Sequence, residues 1–255
     1  MKIKEILLFL FIILFFSFGI YLLFGNKKDK KDNKKDLIDY NKVKEEIIEK
    51  VKIMSADDIY IKIYEDGFNI DNIDYNMIAS AILINLKEDG EITDKEASKY
   101  EECVNTSYIN LSSVEDKFKI LFNEIPSIDY DVKSINYYYD EDNKKFFELC
   151  INMLDGSNFI DTYIYDFDYD DDNAYLYVSV SYGVEKLTKN DDTKVTIYRD
   201  YKHKDKYKEF IYNNDSPNDD FILDDSNYKE FTLYKYTFKR VDNNYYFKAL
   251  KKVSN

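Results

Sequence analysis

The chain has 255 residues and a net charge of −14, with 50 acidic residues against 36 basic ones, one His, two Cys and no Trp. A 45% hydrophobic and 17% aromatic content is enough to build a core despite a charged fraction of 34%. The acidic balance argues against a nucleic-acid binder, which needs a basic face for phosphates. A single His excludes a His-rich metal centre and disfavours a His-based triad.

Only Arg199 and Arg240 are Arg, while Lys, Ile, Asn, Tyr, Phe and Asp are abundant. AT-rich coding produces this bias, so the Tyr and Lys richness is a weak functional signal.

The run Ile6 to Phe24 holds nineteen residues without a charge. As a helix it spans about 29 Å, the thickness of a bilayer's hydrocarbon. It exceeds the roughly 7–15 apolar residues of a cleaved signal peptide, and no small-residue cleavage site follows. No Cys follows it to carry a lipid, and no Gly precedes it as in a prepilin. The spacing therefore predicts an uncleaved signal-anchor over 6–25, behind a short tip at 1–5. Orientation is read two ways. Lys27, Lys28, Lys30, Lys31, Lys34 and Lys35 follow the run, against Lys2 and Lys4 before it, which by the positive-inside rule points the C-terminal side to the cytoplasm. A short basic tip ahead of an apolar run points it outward. The outward reading is preferred here, with a single pass through the cell membrane and the larger part extracytoplasmic.

Residues 26–36 form a charged linker, expected to be extended or to touch anionic headgroups. The first 36 residues hold eight Lys against four acidic residues, so 37–255 are more acidic than the chain as a whole.

Residues 37–127 read as short helices. Val43, Ile47, Val51 and Met54 share a helical face. Ser55–Asp58 is a capping box, opening a helix that Gly67 would stop; the alternative for Ile59–Tyr64 is an alternating strand. Met77, Ile78, Ala81, Ile82 and Leu86 make a buried stripe in a helix over 76–86. Thr93–Glu96 and Ser112–Glu115 are further capping boxes, expected to open helices to Cys103 and to Pro126.

From 128 to 255 the period changes to two. Strands are expected at 132–139, 144–154, 159–169, 175–184, 194–201, 231–240 and 245–253, with 203–227 a long polar loop or a short helix plus loop. The fold class is therefore α+β. A transmembrane helix is followed by short helices packed on a curved, mostly antiparallel sheet of about seven strands, with 37–255 as one domain.

Cys103 and Cys150 are the candidate disulfide, on a predicted helix end and a strand. A loop of that length adds about 4 kcal/mol in the chain-entropy model. The alternative is two buried thiols. A Cys nucleophile with His203 as base needs both in one cleft, and the Lys-rich stretch around His203 is expected to be exposed. Residues 85–96 resemble a calcium-binding EF-hand loop in placing Gly90 between Asp89 and Glu96. Lys87 then stands where calcium needs an oxygen, and an ordinary Asp-Gly turn accounts for every residue. The D-x-D-x-D spacing of the acidic run 166–173 offers oxygens to a hard cation; the reading preferred is a solvated face and turn, in which alternation sends Asp166 and Asp168 outward and Phe167 and Tyr169 inward, with the rest a hairpin turn. Tyr137–Tyr139 and Tyr163–Tyr169 either face a sugar or peptide or pack within the sheet.

No phosphate loop, nucleophile elbow or cofactor motif is present. The expected function is a non-catalytic, membrane-anchored module that binds a protein, a peptide or an envelope polymer. Two alternatives stand beside it: an anchored hydrolase using Asp or Glu, and a cytoplasm-facing tethered domain.

Overall fold

A computed structural model of the chain describes residues 33–54, 67–90, 93–96, 106–128, 137–148, 158–188, 192–212 and 221–253. The apolar run at 6–25, the helix expected from Ser55, and both Cys103 and Cys150 lie outside them. No helix among the described residues is long and apolar enough to cross a membrane. The chain divides after Val43 into two units. The first is described only over 33–43, the opening of helix α1 (Asn33–Met54). Everything below concerns the second.

The expected stripe of α1 is half-buried at Val43 and buried from Ile47 onward: Ile47 and Met54 are fully enclosed, with Val51 and Ile53 beside them. Helix α2 (Tyr75–Glu88) begins where Asp74 accepts hydrogen bonds from the Asn76 and Met77 amides, satisfying two donors the helix leaves open. It ends at Asp89, and Gly90 takes the left-handed φ of 78° that the turn requires. Helix α3 (Leu111–Phe122) buries Val114, Phe118, Leu121 and Phe122. Asn110 is its N-cap residue and makes no side-chain cap bond, so the Ser112–Glu115 capping box does not act as one.

Two sheets follow, both antiparallel. The larger has seven strands: β1 (Phe68–Asn69), β6 (Asn158–Tyr169), β7 (Asn173–Leu187), β8 (Thr193–Tyr198), β9 (Lys206–Tyr212), β10 (Thr232–Val241) and β11 (Asn244–Lys252). The smaller has four: β2 (Thr93–Glu96), β3 (Thr106–Asn110), β4 (Tyr137–Asp140) and β5 (Lys145–Glu148).

Three expectations are corrected. Thr93–Glu96 is a strand rather than a helix start, because its backbone pairs with Tyr108 and Thr106 of β3. The hairpin β4–β5 joins β3 in the smaller sheet and not the main one. Residues 206–212, read as loop, form β9, whose Phe210 pairs with Val195 of β8. Alternate Lys and Tyr hid this strand from a hydrophobic count.

Strand β7 organises the main sheet. β6 runs along one of its edges from 174 to 184. Its other edge is shared: β10 takes 173–180 and β8 takes 182–187. Directly paired residues share a face. On one face Leu176, Val178, Val180 and Tyr182 of β7 lie with Tyr234, Tyr236 and Phe238 of β10, all 1% exposed or less. Phe247 of β11 joins them and meets Phe122 of α3 at 5.9 Å, so the helices pack on this face. Within it the Tyr182 and Tyr234 hydroxyls lie 3.1 Å apart, and burial pushes the Tyr182 phenol well above its ordinary value.

The opposite face is crossed by residues 221–231, which end in a short 3-10 turn (Tyr228–Glu230). This strap closes a second, smaller core of Val195, Ile197, Leu223 and Phe231.

Candidate functional site

The strap is built from local polar bonds. Asp224 accepts from the Ser226 amide and hydroxyl at 2.8 and 2.6 Å. Asn227 accepts from the Asp224 amide at 3.0 Å and donates to the Ile222 carbonyl at 2.8 Å. Those bonds hold the Asp224 carboxyl below the usual carboxylate range, the Ser226 hydroxyl contributing most. Hydrogen bonds tie the strap to β6 and β7. The Tyr163 hydroxyl donates to Asp225 at 2.7 Å, and the Ser179 hydroxyl donates to the Tyr228 carbonyl at 2.8 Å. The Tyr228 ring stacks on Tyr165 at 4.9 Å.

Beside the strap lies an apolar groove of about 350 Å³, lined by Phe159, Asp161, Glu185, Val195, Ile197, Phe210, Phe221 and Ile222. Its floor is the outer face of β6–β9. Phe159 pairs directly with Gly183, and a Cβ on that glycine would lie 2.0 Å from the Phe159 ring. The missing side chain is thus what lets the ring lie flat on β7. Its wall is the strap, where Leu223 turns inward at 7% exposure and Ile222 outward at 67%. Asp161 and Glu185 are the ionisable side chains among the lining residues. Ser181 pairs with Asp161 across the strands and buries a hydroxyl that has no hydrogen-bond partner.

A second cleft, of about 390 Å³, mixes charged and apolar lining and carries Arg199, Asp200, Asp205, Glu230 and Lys252 beside Phe231 and Leu233. The Arg199 guanidinium reaches Asp205 at 3.0 Å and Glu230 at 3.4 Å. It also lies 4.7 Å from the centre of the Tyr207 ring. Its charge is engaged in joining the β8–β9 turn to the end of the strap.

His203 lies in that turn, with a left-handed φ of 54°. It is half-buried rather than exposed as expected. Its ring stacks on Tyr198 at 4.7 Å, and Nε2 is buried without a partner. Burial lowers its pKa from 6.5, against the opposing pull of Asp200.

Asp166 and Asp168 face solvent, and Phe167 is buried at 4% exposure, which matches the expected alternation. Asp170 then closes the turn, accepting from the Asp172 and Asn173 amides at 2.8 and 2.7 Å. Those amides hold its carboxyl below the usual range. In the segment resembling an EF-hand, Lys87 pairs with Glu148 and Asp89 with Lys117, so both side chains are engaged in ion pairs. Among the described residues no group of three or more His, Cys, Asp or Glu could hold a metal ion.

The Tyr stripes pack within the sheets. Tyr137 is buried and its phenol pushed up by that burial, while Tyr138 stacks on Phe147 at 5.3 Å. Tyr163 and Tyr165 meet the strap. Reasoning from sequence missed Phe210, Phe221 and Ile222. The signal for the last two was available: Phe221-Ile222-Leu223 is an apolar triplet inside an acidic loop.

The chain matches no protein-family model, and no curated protein or solved structure is significantly similar to it.

Proposed function

We propose that this chain is a membrane-anchored, non-catalytic binding module, held by residues 6–25, whose acidic α+β domain stands outside the cell. The observation that carries the binding reading is the groove beside the strap. It is concave, mostly apolar and bounded by a wall whose own hydrogen bonds fix its shape, the features of a preformed ligand site. The uncharged run at 6–24 supports the anchor.

A hydrolase using Asp or Glu needs a carboxylic acid raised toward neutrality. Asp170, Glu209 and Asp224 are displaced in the opposite direction. For Glu209 the cause is its hydrogen bonds with Lys194 and Lys206. None of the three is suited to donate a proton.

The test is topology. Ser216→Cys and Asn255→Cys are introduced singly into a chain carrying Cys103→Ser and Cys150→Ser, and intact cells are treated with a membrane-impermeant maleimide. Labelling before lysis supports the outward module. The native Cys pair is then examined for a disulfide by mass after alkylation with and without reduction. Labelling only after lysis overturns the outward placement and favours a cytoplasm-facing domain tethered to the inner leaflet.

A further inference from the structure

The strap is bonded to Ser179 of β7. The groove lies toward Gly183 and Glu185, and on the other side of that bond the outer face carries a row of phenol rings. Tyr228, at the end of the strap, stacks on Tyr165 at 4.9 Å, and Tyr165 meets Tyr177 at 6.0 Å. Tyr165 is the extra residue of the β6 irregularity between Ile164 and Asp166. Beyond it Asp166 pairs directly with Tyr177 and Asp168 with Tyr175, so both carboxylates share the face of the rings. Burial raises the Tyr177 phenol most, and Asp168 and Asp166 raise it further, which keeps it a protonated donor at neutral pH.

Three observations bear on what this face meets. Tyr165, Tyr177 and Tyr228 are half-buried, and their hydroxyls have no hydrogen-bond partner among the described residues. AT-rich coding favours Phe as much as Tyr, so it accounts for the rings but not for these hydroxyls. Asp166 and Asp168 are exposed, and each accepts from the next amide at 2.8 Å through one oxygen only. That bond steadies the carboxylate and leaves its second oxygen open. Across the row the Lys235 ammonium lies 5.1 Å from the centre of the Tyr175 ring and forms no ion pair among the described residues. The neighbouring carboxylates Asp170 and Asp225 are already engaged, by the Tyr175 and Tyr163 hydroxyls.

We propose that this face binds a neutral polysaccharide, with sugar rings laid on Tyr165, Tyr177 and Tyr228 and their hydroxyls bonded to Asp166, Asp168 and Lys235. The C–H bonds of a sugar ring carry partial positive charge and meet the negative face of an aromatic ring. Each sugar hydroxyl both donates and accepts, which matches a face offering carboxylate acceptors, an ammonium donor and phenols that do either. Mixed charge argues against an ionic partner. A polyanion meets Asp166, Asp168 and the field of a chain at −14. A polycation meets Lys235 with Lys251 paired beside it, and finds Lys235 and Lys229 already over the Tyr175 and Tyr228 rings. An apolar segment would bury these charges without partners. The face is separate from the groove, so this second binding surface depends neither on the groove's occupant nor on the orientation of the membrane anchor.

The test uses the purified full-length chain in a detergent without a sugar headgroup. Cellohexaose, laminarihexaose and chitohexaose are titrated by calorimetry. The expected result is that at least one binds with a Kd of about 1 mM or tighter, and that its disaccharide, which covers fewer rings, binds about tenfold more weakly. Tyr165→Ala with Tyr177→Ala weakens binding by about tenfold or more, and Asp166→Ala with Asp168→Ala by about fivefold. Truncating half-buried rings also tests the fold. Tyr165→Phe with Tyr177→Phe therefore removes the hydroxyls alone, and is expected to weaken binding about threefold at an unchanged unfolding midpoint.

No binding of any hexasaccharide at about 10 mM, or binding indifferent to the Tyr and Asp variants, overturns the inference. Binding lost with Ile222→Asp instead also overturns it and moves the sugar to the groove. Hexalysine or hexaglutamate bound more tightly than every hexasaccharide, and weakened by the Tyr variants, overturns it and makes a charged partner the occupant. Failure here leaves the topology result standing, and a cytoplasmic topology leaves these affinities unchanged.

Discussion

The Phe159 ring occupies the space that a side chain at position 183 would need. The two residues are directly paired across β6 and β7, and an added Cβ would fall 2.0 Å from Phe159 Cζ. Gly183→Ala is therefore expected to destabilise the chain by about 1–3 kcal/mol, the cost of overpacking. Phe159→Leu should recover part of that loss, and chemical denaturation of the single and double variants measures it. A fully additive double variant would mean that the ring and residue 183 do not meet.

Ser181 gives a prediction of the opposite sign. Its hydroxyl is buried and unsatisfied, a state that costs about 1–3 kcal/mol. Ser181→Ala is expected to be neutral or stabilising by up to about that amount, read as a rise in the denaturation midpoint. A clear loss of stability would show that the hydroxyl has a bond in solution.

Much of the fold was legible before the structure. The stripe of Ile78, Ala81, Ile82 and Leu86 gave α2, and alternation around Phe167 gave the facing of the end of β6, while a register shift between Ile164 and Asp166 turns Tyr163 to the opposite face. Three features were illegible for physical reasons. Thr93–Glu96 carries a sound capping box, but tertiary pairing with β3 overrides local preference. β9 has one Phe and one Ile among Lys, Tyr and Glu, so only its partner Val195 reveals which face is buried. The groove is formed by residues from 159 to 222 and exists only once the strap crosses the sheet, so no local window contains it.

His203 makes stability depend on pH in a calculable direction. Burial lowers its pKa from 6.5, so below that value the unfolded chain binds a proton that the folded chain resists. Stability is complete above about pH 6.5 and falls as the pH drops through the folded-state value. The lowered carboxylates Asp170, Glu209 and Asp224 lose their contributions at lower pH, below ordinary values of 3.8 to 4.5. His203→Asn, which tolerates the left-handed backbone, is expected to flatten the wild-type decline that begins below about pH 6.5. Thermal unfolding against pH checks this. The chain has a single His, so one imidazole NMR signal reports its midpoint directly, and a midpoint at or above 6.5 would sink the prediction.

Lys50 and Glu46 together hold the backbone of Tyr245. The ammonium donates to the Tyr245 carbonyl and to Glu46, and Glu46 accepts from the Tyr245 amide at 3.2 Å. β1 covers β11 only at Ala249 and Leu250, with one more bond from Ile70 to Lys248. The helix side chains thus finish an edge that the sheet leaves open. Lys50 is only 6% exposed. Lys50→Met is expected to cost about 1–3 kcal/mol, since it strips a bond from a carbonyl and a partner from a carboxylate. Glu46→Gln in the same chain should return part of it. High salt should leave the difference almost unchanged, because the pair is largely shielded from solvent.

The shared edge of β7 has a consequence for how the chain is made. Residues 182–187 find β8 within a few positions, but 173–180 wait for β10 at 232–241. During synthesis the first half of that edge therefore stands bare until residues 232–241 have emerged. A bare edge is a template for pairing with other chains. Residues 232–241 are what cover this edge of β7, and a nascent chain stalled before them carries an unpaired strand edge at residues 173–180.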